Sequence, residues 1–315
     1  MDIAREGWLH LPPVNRSIAF LTSDQDPELT PDDQLAVQEL DQLGIRVTPL
    51  VWDAPEVDLA HLQQFDLLVL RSCWDYHHKT AGFCAWLDAV ERAGLPLHNP
   101  VPVVRWCLDK SYLDALASRG IAIPTTLWIE PGTDTTLNDL LHRGAFRDDA
   151  VVVKPAISML GQDTWRASRA DLAEHEAPFQ DLLRTRKLMV QEFLPEVLDH
   201  GELSLIFIAN RFSHAVRKLP KPGEFRIHAE HGGTRDLFVP SPALVTQAEA
   251  VLEAARALTG DPAHRLLYAR VDGIDVGGRL TLIELELIDP YLFLRYAPGA
   301  PYRFAQAIED ILAGF

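Results

Sequence analysis

Residues 266–290 read Leu266-Leu-Tyr-Ala-Arg-Val-Asp272-Gly-Ile-Asp-Val-Gly-Gly-Arg279-Leu-Thr-Leu-Ile-Glu284-Leu-Glu286-Leu-Ile-Asp-Pro290. The Gly277-Gly278 dipeptide between two apolar, β-prone runs predicts a hairpin. Because side chains alternate along a strand, Glu284 and Glu286 share one face, and Asp272 on the preceding strand can oppose them. Three carboxylates on a rigid sheet suit a hard divalent cation such as Mg²⁺. The alternative is a pair of exposed acids on an edge strand.

The composition is that of an acidic globular protein. A chain of 315 residues, 47% hydrophobic and 23% charged, predicts two or three small domains. With 29 Lys and Arg against 45 Asp and Glu, the net charge is −16, which argues against a nucleic-acid partner. No apolar run approaches the ~20 residues that span a bilayer, and the N-terminus does not resemble a signal peptide. Three widely spaced cysteines, at 73, 84 and 107, fit reduced thiols and predict a cytoplasmic protein. The lack of a long apolar run predicts that there is no membrane partner.

The order of elements predicts an α/β fold that becomes α+β in its C-terminal part. Residues 1–108 alternate strands and helices, which is typical of a parallel sheet, and the run 65–71 predicts a strand buried on both faces. From residue 202 the pattern is antiparallel, with Asn210-Arg211 predicted as a turn. Residues 221–240 read as a long polar loop, and such loops are usually functional.

The predicted third strand runs into a polar and aromatic loop. In open parallel sheets, ligands bind beyond the carboxyl ends of the strands. This loop therefore predicts a site for a small zwitterion, although its aromatic residues can instead simply cover the core. The candidate substrate residues are Arg71, Ser72, Trp74, Asp75 and Tyr76.

Taken in order, five features resemble the ATP-grasp enzymes, and most closely the branch of glutathione synthetase and D-alanine–D-alanine ligase. They are Asp109-Lys110 at a helix start, Val151-Val-Val-Lys154-Pro155, Val190-Gln-Glu-Phe-Leu-Pro195, Phe225-Arg226 before Gly232-Gly233, and the three carboxylates. The resemblance covers nearly the whole chain, whereas the Walker and G-x-G-x-x-G signatures are absent from it. It implies an ATP-grasp fold: a substrate domain at 1–108, then a lid subdomain at 109–190 and a catalytic subdomain at 191–315 that clasp ATP.

The resemblance also implies how the nucleotide is bound. Lys110 and Lys154 would hold the phosphates; the alternatives are a solvated lysine at a helix start and one at a strand end. Residues 191–194 would form the adenine hinge, unless they are only a buried strand end. Asp199 would bind the ribose, with Glu196 as second candidate. The hinge residues are Gln191, Glu192, Phe193 and Leu194.

The same resemblance assigns the reacting centre. Asp272, Glu284 and Glu286 would bind two Mg²⁺ ions, with Mn²⁺ as a possible substitute. Arg226 and Lys218 would face the transferring phosphoryl group, where cationic side chains stabilise developing charge. The alternative is a solvated basic loop.

The implied activity is that of an ATP-dependent ligase. A small amino-acid-like carboxylate would be phosphorylated and then attacked by an amine, and a homodimer is a common state in the family. Within it, the subgroup of O-ureido-serine cyclo-ligases comes closest, through residues 71–76, Leu97-His-Asn-Pro100 and Phe212-Ser-His-Ala-Val-Arg-Lys218. There ring closure replaces ligation. A small-molecule kinase and a catalytically silent ATP-binding module remain as alternatives.

Overall fold

The computed structural model describes residues 16–159, 161–225, 227, 232–260 and 266–314. Strands within these residues form three sheets, each from one consecutive part of the chain. The predicted α/β start and α+β continuation are both confirmed. Across the same residues, no helix combines the length and apolarity needed to cross a membrane.

The first sheet is parallel, with strand order β2-β1-β3-β4. Its central strands β1 and β3 are almost wholly buried, which explains why their sequences are continuous apolar runs. The strand predicted at 65–71 is confirmed, and it begins two residues later and ends one residue later than expected. The elements are β1 (Arg16–Thr22), α1 (Asp33–Gln42), β2 (Ile45–Val51), α2 (Leu59–Leu62), β3 (Leu67–Ser72), α3 (Thr80–Arg92) and β4 (Leu97–His98).

The second sheet is antiparallel, with strand order β5-β8-β6-β7. Two short helices lead into it, and two more cover it. The expected boundary between residues 190 and 191 falls inside its last strand. The elements are α4 (Val101–Cys107), α5 (Tyr112–Ala117), β5 (Thr126–Ile129), α6 (Leu137–Arg143), β6 (Ala150–Pro155), β7 (Trp165–Ser168), α7 (Leu172–Leu183) and β8 (Leu188–Glu192).

The third sheet is antiparallel, with strand order β11-β10-β9-β12-β13. Ser241 caps the longest helix by accepting a hydrogen bond from the Leu244 N–H, and a proline follows at its first position. The elements are α8 (Glu196–His200), β9 (Glu202–Ile208), β10 (Arg211–Leu219), β11 (Thr234–Phe238), α9 (Pro242–Leu258), β12 (Tyr268–Val276), β13 (Arg279–Glu286) and α10 (Ala300–Leu312).

Two hairpin turns of this sheet use a left-handed backbone. Gly277 and Gly278 have φ values of 62° and 87°, so the predicted β12–β13 turn is confirmed. The β9–β10 turn consists of Ala209 and Asn210, with φ values of 48° and 63°. It lies one residue before the predicted Asn210-Arg211, because Asn tolerates the left-handed region whereas Arg211 is already in β10.

The predicted loop at 221–240 contains a strand that sequence analysis missed. β11 pairs antiparallel with β10 and places Arg235 opposite Lys218. It lies at the edge of the sheet and is mostly exposed, so its sequence lacks the apolar run by which buried strands are recognised.

Polar side chains dock the first sheet onto the third. The Asn99 amide donates to the carbonyls of Tyr268 and Leu287 at 3.0 and 2.7 Å. The Tyr268 hydroxyl lies 2.8 Å from the Leu70 carbonyl and 2.7 Å from that of Ile288. Both side chains are fully buried, so these bonds satisfy backbone groups that water cannot reach.

Candidate active site

A cavity of about 350 Å³ is lined by residues of the second and third sheets, by loops that adjoin these sheets and by Trp74 of the loop after β3. Most of the sequence-predicted site residues meet there, although they are spread along the chain from residue 74 to residue 286. Those that line the cavity are Trp74, Lys110, Lys154, Gln191, Glu192, Phe193, Leu194, Lys218, Asp272, Glu284 and Glu286.

The three predicted carboxylates come together at this cavity. One oxygen from each of Asp272, Glu284 and Glu286 lies within 4.8 Å of the others. Asp272 and Glu284 are directly opposed in the β12–β13 register. Such a group of carboxylate oxygens fits a hard divalent cation, so the donor set is suitable for Mg²⁺ or Mn²⁺.

Arg270, which sequence analysis did not single out, joins two of these carboxylates. Its guanidinium donates to Asp272 Oδ2 at 2.9 Å from Nε and to Glu286 Oε1 at 3.1 Å from Nη2. Burial raises the pKa of Glu286 to about 7 against the effect of Arg270. For Asp272, burial acts to raise the pKa, but Arg270, Lys218 and the Ser204 hydroxyl together lower it to about 2. Arg270 lies two residues before Asp272 and therefore on the same face of the strand. This spacing could have identified Arg270 from the sequence.

Lys110 and Lys154 both reach the cavity and are only 7% and 8% exposed. Lys110 Nζ donates to the Ser158 carbonyl at 2.6 Å and lies 3.0 Å from Glu284 Oε1. Lys154 makes no hydrogen bond or ion pair with a described residue. Burial lowers its pKa to about 8, against the attraction of Glu284. An unpaired buried ammonium of this kind gains strongly from an anionic ligand.

Of the two predicted catalytic cations, one can be placed. Lys218 on β10 lies 2.6 Å from Glu202 Oε1 and 3.5 Å from Asp272 Oδ1. Burial raises the pKa of Glu202 in spite of Lys218. Arg226 lies outside the described residues, so its position relative to this cluster stays a prediction from the sequence.

The predicted adenine hinge, Gln191–Leu194, lies at the end of β8 and lines the cavity. The Glu192 carboxylate has a local role: its Oε1 accepts hydrogen bonds from Arg147 at Nε and at the backbone N, at 2.6 and 3.1 Å. The backbone N–H of Leu194 makes no hydrogen bond to a described residue. The hinge therefore contains one backbone donor that has no acceptor among the described residues.

Neither predicted ribose residue lines the cavity. Asp199 is exposed on α8, and Glu196 lies 3.7 Å from Arg147. Glu202, the first residue of β9, lines the cavity instead. Gly201 makes this possible with a φ of 74°, and a Cβ there would lie 2.5 Å from the Lys218 carbonyl oxygen. The sequence pattern that could have identified Glu202 is a glycine, Gly201, followed by an acidic residue at the start of a strand.

The predicted substrate arginine, Arg71, does not reach the cavity. It is 1% exposed, and its guanidinium is 2.8 Å from Asp33 Oδ1 at the start of α1. It also stacks over the rings of Tyr268 and Phe304. Only Trp74 of the five predicted substrate residues lines the cavity.

The other three predicted substrate residues stabilise the first domain. The Ser72 hydroxyl is buried and bonded within the sheet. Asp75 accepts a hydrogen bond from the Trp52 indole at 2.9 Å, and Tyr76 stacks on Phe83 at 4.8 Å between ring centroids. The contacts of Ser72, Asp75 and Tyr76 therefore agree with the alternative interpretation, in which these residues cover the core.

Arg235 is a cavity cation to which the sequence analysis gave no role. Its guanidinium lies over the rings of Tyr291 and Phe293, at 5.9 and 5.6 Å from their centroids. Its Nε is buried without a hydrogen-bond partner among the described residues. Asp289 lies nearby on the cavity lining, and burial, with Glu286 as a second cause, holds its pKa well above the ordinary value.

Comparisons with known proteins identify the family. The family model "D-cycloserine synthetase DcsG, N-terminal domain" matches residues 18–99. The cycloserine biosynthesis protein DcsG of Streptomyces lavendulae is 32% identical over 287 residues, which cover 86% of this chain and 90% of that protein. The crystal structure of D-cycloserine synthetase DcsG matches with a TM-score of 0.83 and 27% identity, covering 94% of this chain and 99% of that one.

The chain belongs to the ATP-grasp family of ligases. The D-alanine–D-alanine ligase of Bacillus anthracis, solved with ATP, shares the fold of this ATP-grasp ligase with a TM-score of 0.65 at 13% identity, over 95% and 96% of the two chains. The predicted family and the reaction class, ATP-dependent C–N bond formation, are confirmed. Use of ATP with a divalent metal follows for the family as a whole.

Proposed function

We propose that this ATP-grasp ligase activates the carboxylate of a small amino-acid-like molecule for attack by a nitrogen nucleophile. One carboxylate oxygen takes the γ-phosphoryl group of ATP, which gives an acyl phosphate and ADP. The nucleophile then bonds to the acyl carbon, loses a proton and expels phosphate. The observation that carries the proposal is the grouping of three carboxylates and two buried lysines around one cavity.

The nucleotide would lie along the hinge. The Leu194 N–H supplies a backbone donor for the adenine, and Glu202 replaces Asp199 as the candidate for the ribose hydroxyls. Lys110 and Lys154 would neutralise the phosphates, because each is buried at the cavity and Lys154 has no competing partner among the described residues. The expected division at 1–108, 109–190 and 191–315 is part of this proposal.

The metal ligands we propose are Asp272, Glu284 and Glu286, for two Mg²⁺ ions or Mn²⁺ in their place. Bound divalent cations would supply charge neutralisation on the phosphate oxygens. Arg270 and Lys218 both pair with Asp272. Both cations therefore lie close enough to interact with the charge of a bound metal ion or phosphate. Arg226 completes the proposed catalytic set on the basis of the sequence resemblance.

A second candidate function is intramolecular cyclisation of an O-ureido-serine-like substrate. The observation that favours it is the similarity to the cycloserine biosynthesis protein, which extends over 86% of the chain. In this case the nucleophilic nitrogen and the activated carboxylate belong to one molecule. The residues that activate the carboxylate are the same in both candidates, so only the bound substrate distinguishes them.

ADP release with Mg-ATP tests both candidates across a panel of amino acids, dipeptides and O-ureido-serine. ADP formation that requires one carboxylate and one amine establishes two-substrate ligation. Turnover of O-ureido-serine alone establishes the cyclo-ligase. ADP formation with the phosphoryl group retained on the product would instead identify a kinase, and ATP binding without any turnover would favour the silent module.

Glu284→Gln is the matching variant for the metal site. We expect its turnover to fall on the order of 100-fold, because several kcal/mol of charge stabilisation depend on a metal ligand. Glu253→Gln removes the same charge from the exposed face of α9 and should leave turnover unchanged. Equal Mg-ATP affinity and turnover in Glu284→Gln and wild type would refute the metal assignment.

Partners and location follow the same proposal. The net charge of −16 supports a small-molecule partner and no nucleic acid. The three cysteines are free, as expected for reduced thiols in the cytoplasm. A homodimer stays a prediction, and light scattering during size-exclusion chromatography would test it.

A further inference from the structure

Residues 289–293, here called the wall segment, begin three residues after the end of β13, the strand of the proposed metal ligands, and have no helical or strand structure. Side chains, not a strand ladder, satisfy its backbone carbonyls. Four successive carbonyls are held in this way: Asp289 by Trp74 Nε1 at 3.1 Å, Pro290 by Arg71 Nη2 at 3.1 Å, Tyr291 by Arg270 Nη1 at 3.2 Å, and Leu292 by His214 Nε2 at 3.0 Å.

The first domain also fixes the end of the wall segment. Asp32, at the start of α1, accepts hydrogen bonds from the backbone N–H groups of Leu294 and Arg295 at 2.9 and 3.0 Å. Between these anchors Phe293 has a left-handed backbone, with a φ of 53°. A non-glycine residue keeps that conformation only where its surroundings enforce it.

The wall segment forms part of the cavity lining next to the proposed metal ligands. Asp289, Pro290, Tyr291 and Phe293 all contribute to that lining. Arg235 lies over two of its rings, and Trp74 lies 6.3 Å from the Tyr291 ring. A substrate carboxylate near the metal strand would therefore lie beside this segment.

An irregular backbone without ladder bonds takes its shape from the groups that bond to it. Two of those groups come from the first domain: Arg71 lies on β3, and Trp74 lies in the loop that follows it. Arg71 is 1% exposed, so it is beyond the reach of a substrate, and its pair with Asp33 fixes the guanidinium. Arg71 and Trp74, which the sequence predicted to bind the substrate directly, instead donate hydrogen bonds to the wall segment, and the wall segment lines the cavity.

We propose that the wall segment is the substrate-recognising wall of the active site and that Arg71 and Trp74 are positioning residues that set its shape. This inference rests on the proposed function for the identity of the cavity. It assigns to the first domain an indirect part in substrate recognition, through the carbonyls of Asp289 and Pro290.

Trp74→Phe tests the proposal because it removes the indole N–H and keeps an aromatic ring. The matched control is Trp86→Phe in the same domain, whose indole N–H has no hydrogen-bond partner among the described residues. Hydrogen–deuterium exchange of the full-length protein needs no substrate. We expect uptake in residues 289–296 to rise about fivefold in Trp74→Phe, the effect of losing one hydrogen bond, and not in Trp86→Phe.

Kinetics with O-ureido-serine as probe supply the second readout. We expect KM for the probe to rise roughly three- to tenfold in Trp74→Phe, with KM for Mg-ATP and Tm unchanged. Arg71→Lys keeps a cation beside Asp33 but loses the planar fork that reaches Pro290. Arg71→Lys should show the same rise in KM for O-ureido-serine, with KM for Mg-ATP unchanged. Because Arg71 does not contact the substrate, such a rise would come from its effect on the position of the wall segment.

The results separate this proposal from the proposed function. Unchanged exchange of residues 289–296 in both variants would overturn the positioning role, whatever the substrate is. A KM for Mg-ATP that rises as much as that for the probe would also overturn it, because the effect would then be general. Failure of the wild type to bind Mg-ATP would refute the proposed function, while the exchange measurement still decides whether Arg71 and Trp74 hold the wall segment.

Discussion

At the residue scale, Lys154 combines burial with the absence of a direct partner among the described residues, and burial lowers its pKa to about 8. In the free protein this lysine loses its proton as the pH rises through that value. A bound triphosphate favours the protonated form, so binding above pH 8 requires proton uptake. We expect Kd for Mg-ATP to be flat below pH 8 and to weaken by up to about tenfold per pH unit above it.

Isothermal titration calorimetry from pH 7 to 9.5 measures this dependence. Lys154→Arg should give a flatter profile, because a guanidinium stays protonated over the whole range. Lys187→Arg, outside the cavity, is the control and should keep the wild-type profile. A wild-type affinity that stays constant up to pH 9.5 would contradict the role of Lys154 at the phosphates.

At the scale of elements, the loop between β6 and β7 contributes Ser158, Met159 and Gly161 to the cavity lining. Arg186 binds to both ends of this loop. Its guanidinium is 2.6 Å from Asp163 Oδ2 and donates a hydrogen bond to the Ile157 carbonyl at 2.9 Å. The Ser158 carbonyl in turn accepts the hydrogen bond from Lys110. The position of a proposed phosphate-binding lysine therefore depends on a loop that Arg186 holds.

We expect Arg186→Ala to weaken Mg-ATP binding by about three- to tenfold, because one to two hydrogen bonds that order the loop are lost. The change in Tm should be small, since this side chain is 32% exposed. Arg184→Ala removes a neighbouring, more exposed arginine whose ion pair with Asp181 is local, so it should bind Mg-ATP as wild type does. Identical affinities for the two variants would show that the loop does not need Arg186.

At the scale of the whole molecule, the first and third sheets are joined by buried polar contacts of Asn99 and Tyr268. The Tyr268 hydroxyl connects a carbonyl of β3 to the carbonyl of Ile288, just before the wall segment. Its burial keeps water away from both carbonyls. The Tyr268 hydroxyl therefore helps to hold the first and third sheets together and also to fix the backbone that leads into the cavity wall.

We expect Tyr268→Phe to lower the free energy of unfolding by about 1–3 kcal/mol, because it removes the buried O–H group that the Leu70 and Ile288 carbonyls share. Thermal unfolding followed by circular dichroism measures the change. Tyr302→Phe removes a hydroxyl that bonds to Gln306 on the exposed side of α10 and should leave Tm unchanged. A Tm of Tyr268→Phe equal to that of wild type would mean that other contacts alone hold the two sheets.

Much of the candidate site could be predicted because its signals are local. Strand periodicity placed Glu284 and Glu286 on one face, and the Gly277-Gly278 turn fixed Asp272 opposite Glu284. Lys154 was recognisable at the end of a valine run. The same local logic failed at Asp199 and Glu202, since a short helix and the glycine turn after it decide which acid reaches the cavity.

The sequence by itself determined the carboxylate hairpin, because periodicity and turn residues are properties of neighbouring residues. Its resemblance to known enzymes implied the ATP-grasp architecture and the places of Lys110 and Lys154. Only the tertiary structure decided what Arg71 does. It pairs with Asp33, 38 positions away, and with the Pro290 carbonyl, 219 positions away. Such contacts depend on how separate sheets pack. Burial, pairing and pKa are then set by neighbours that no local pattern contains.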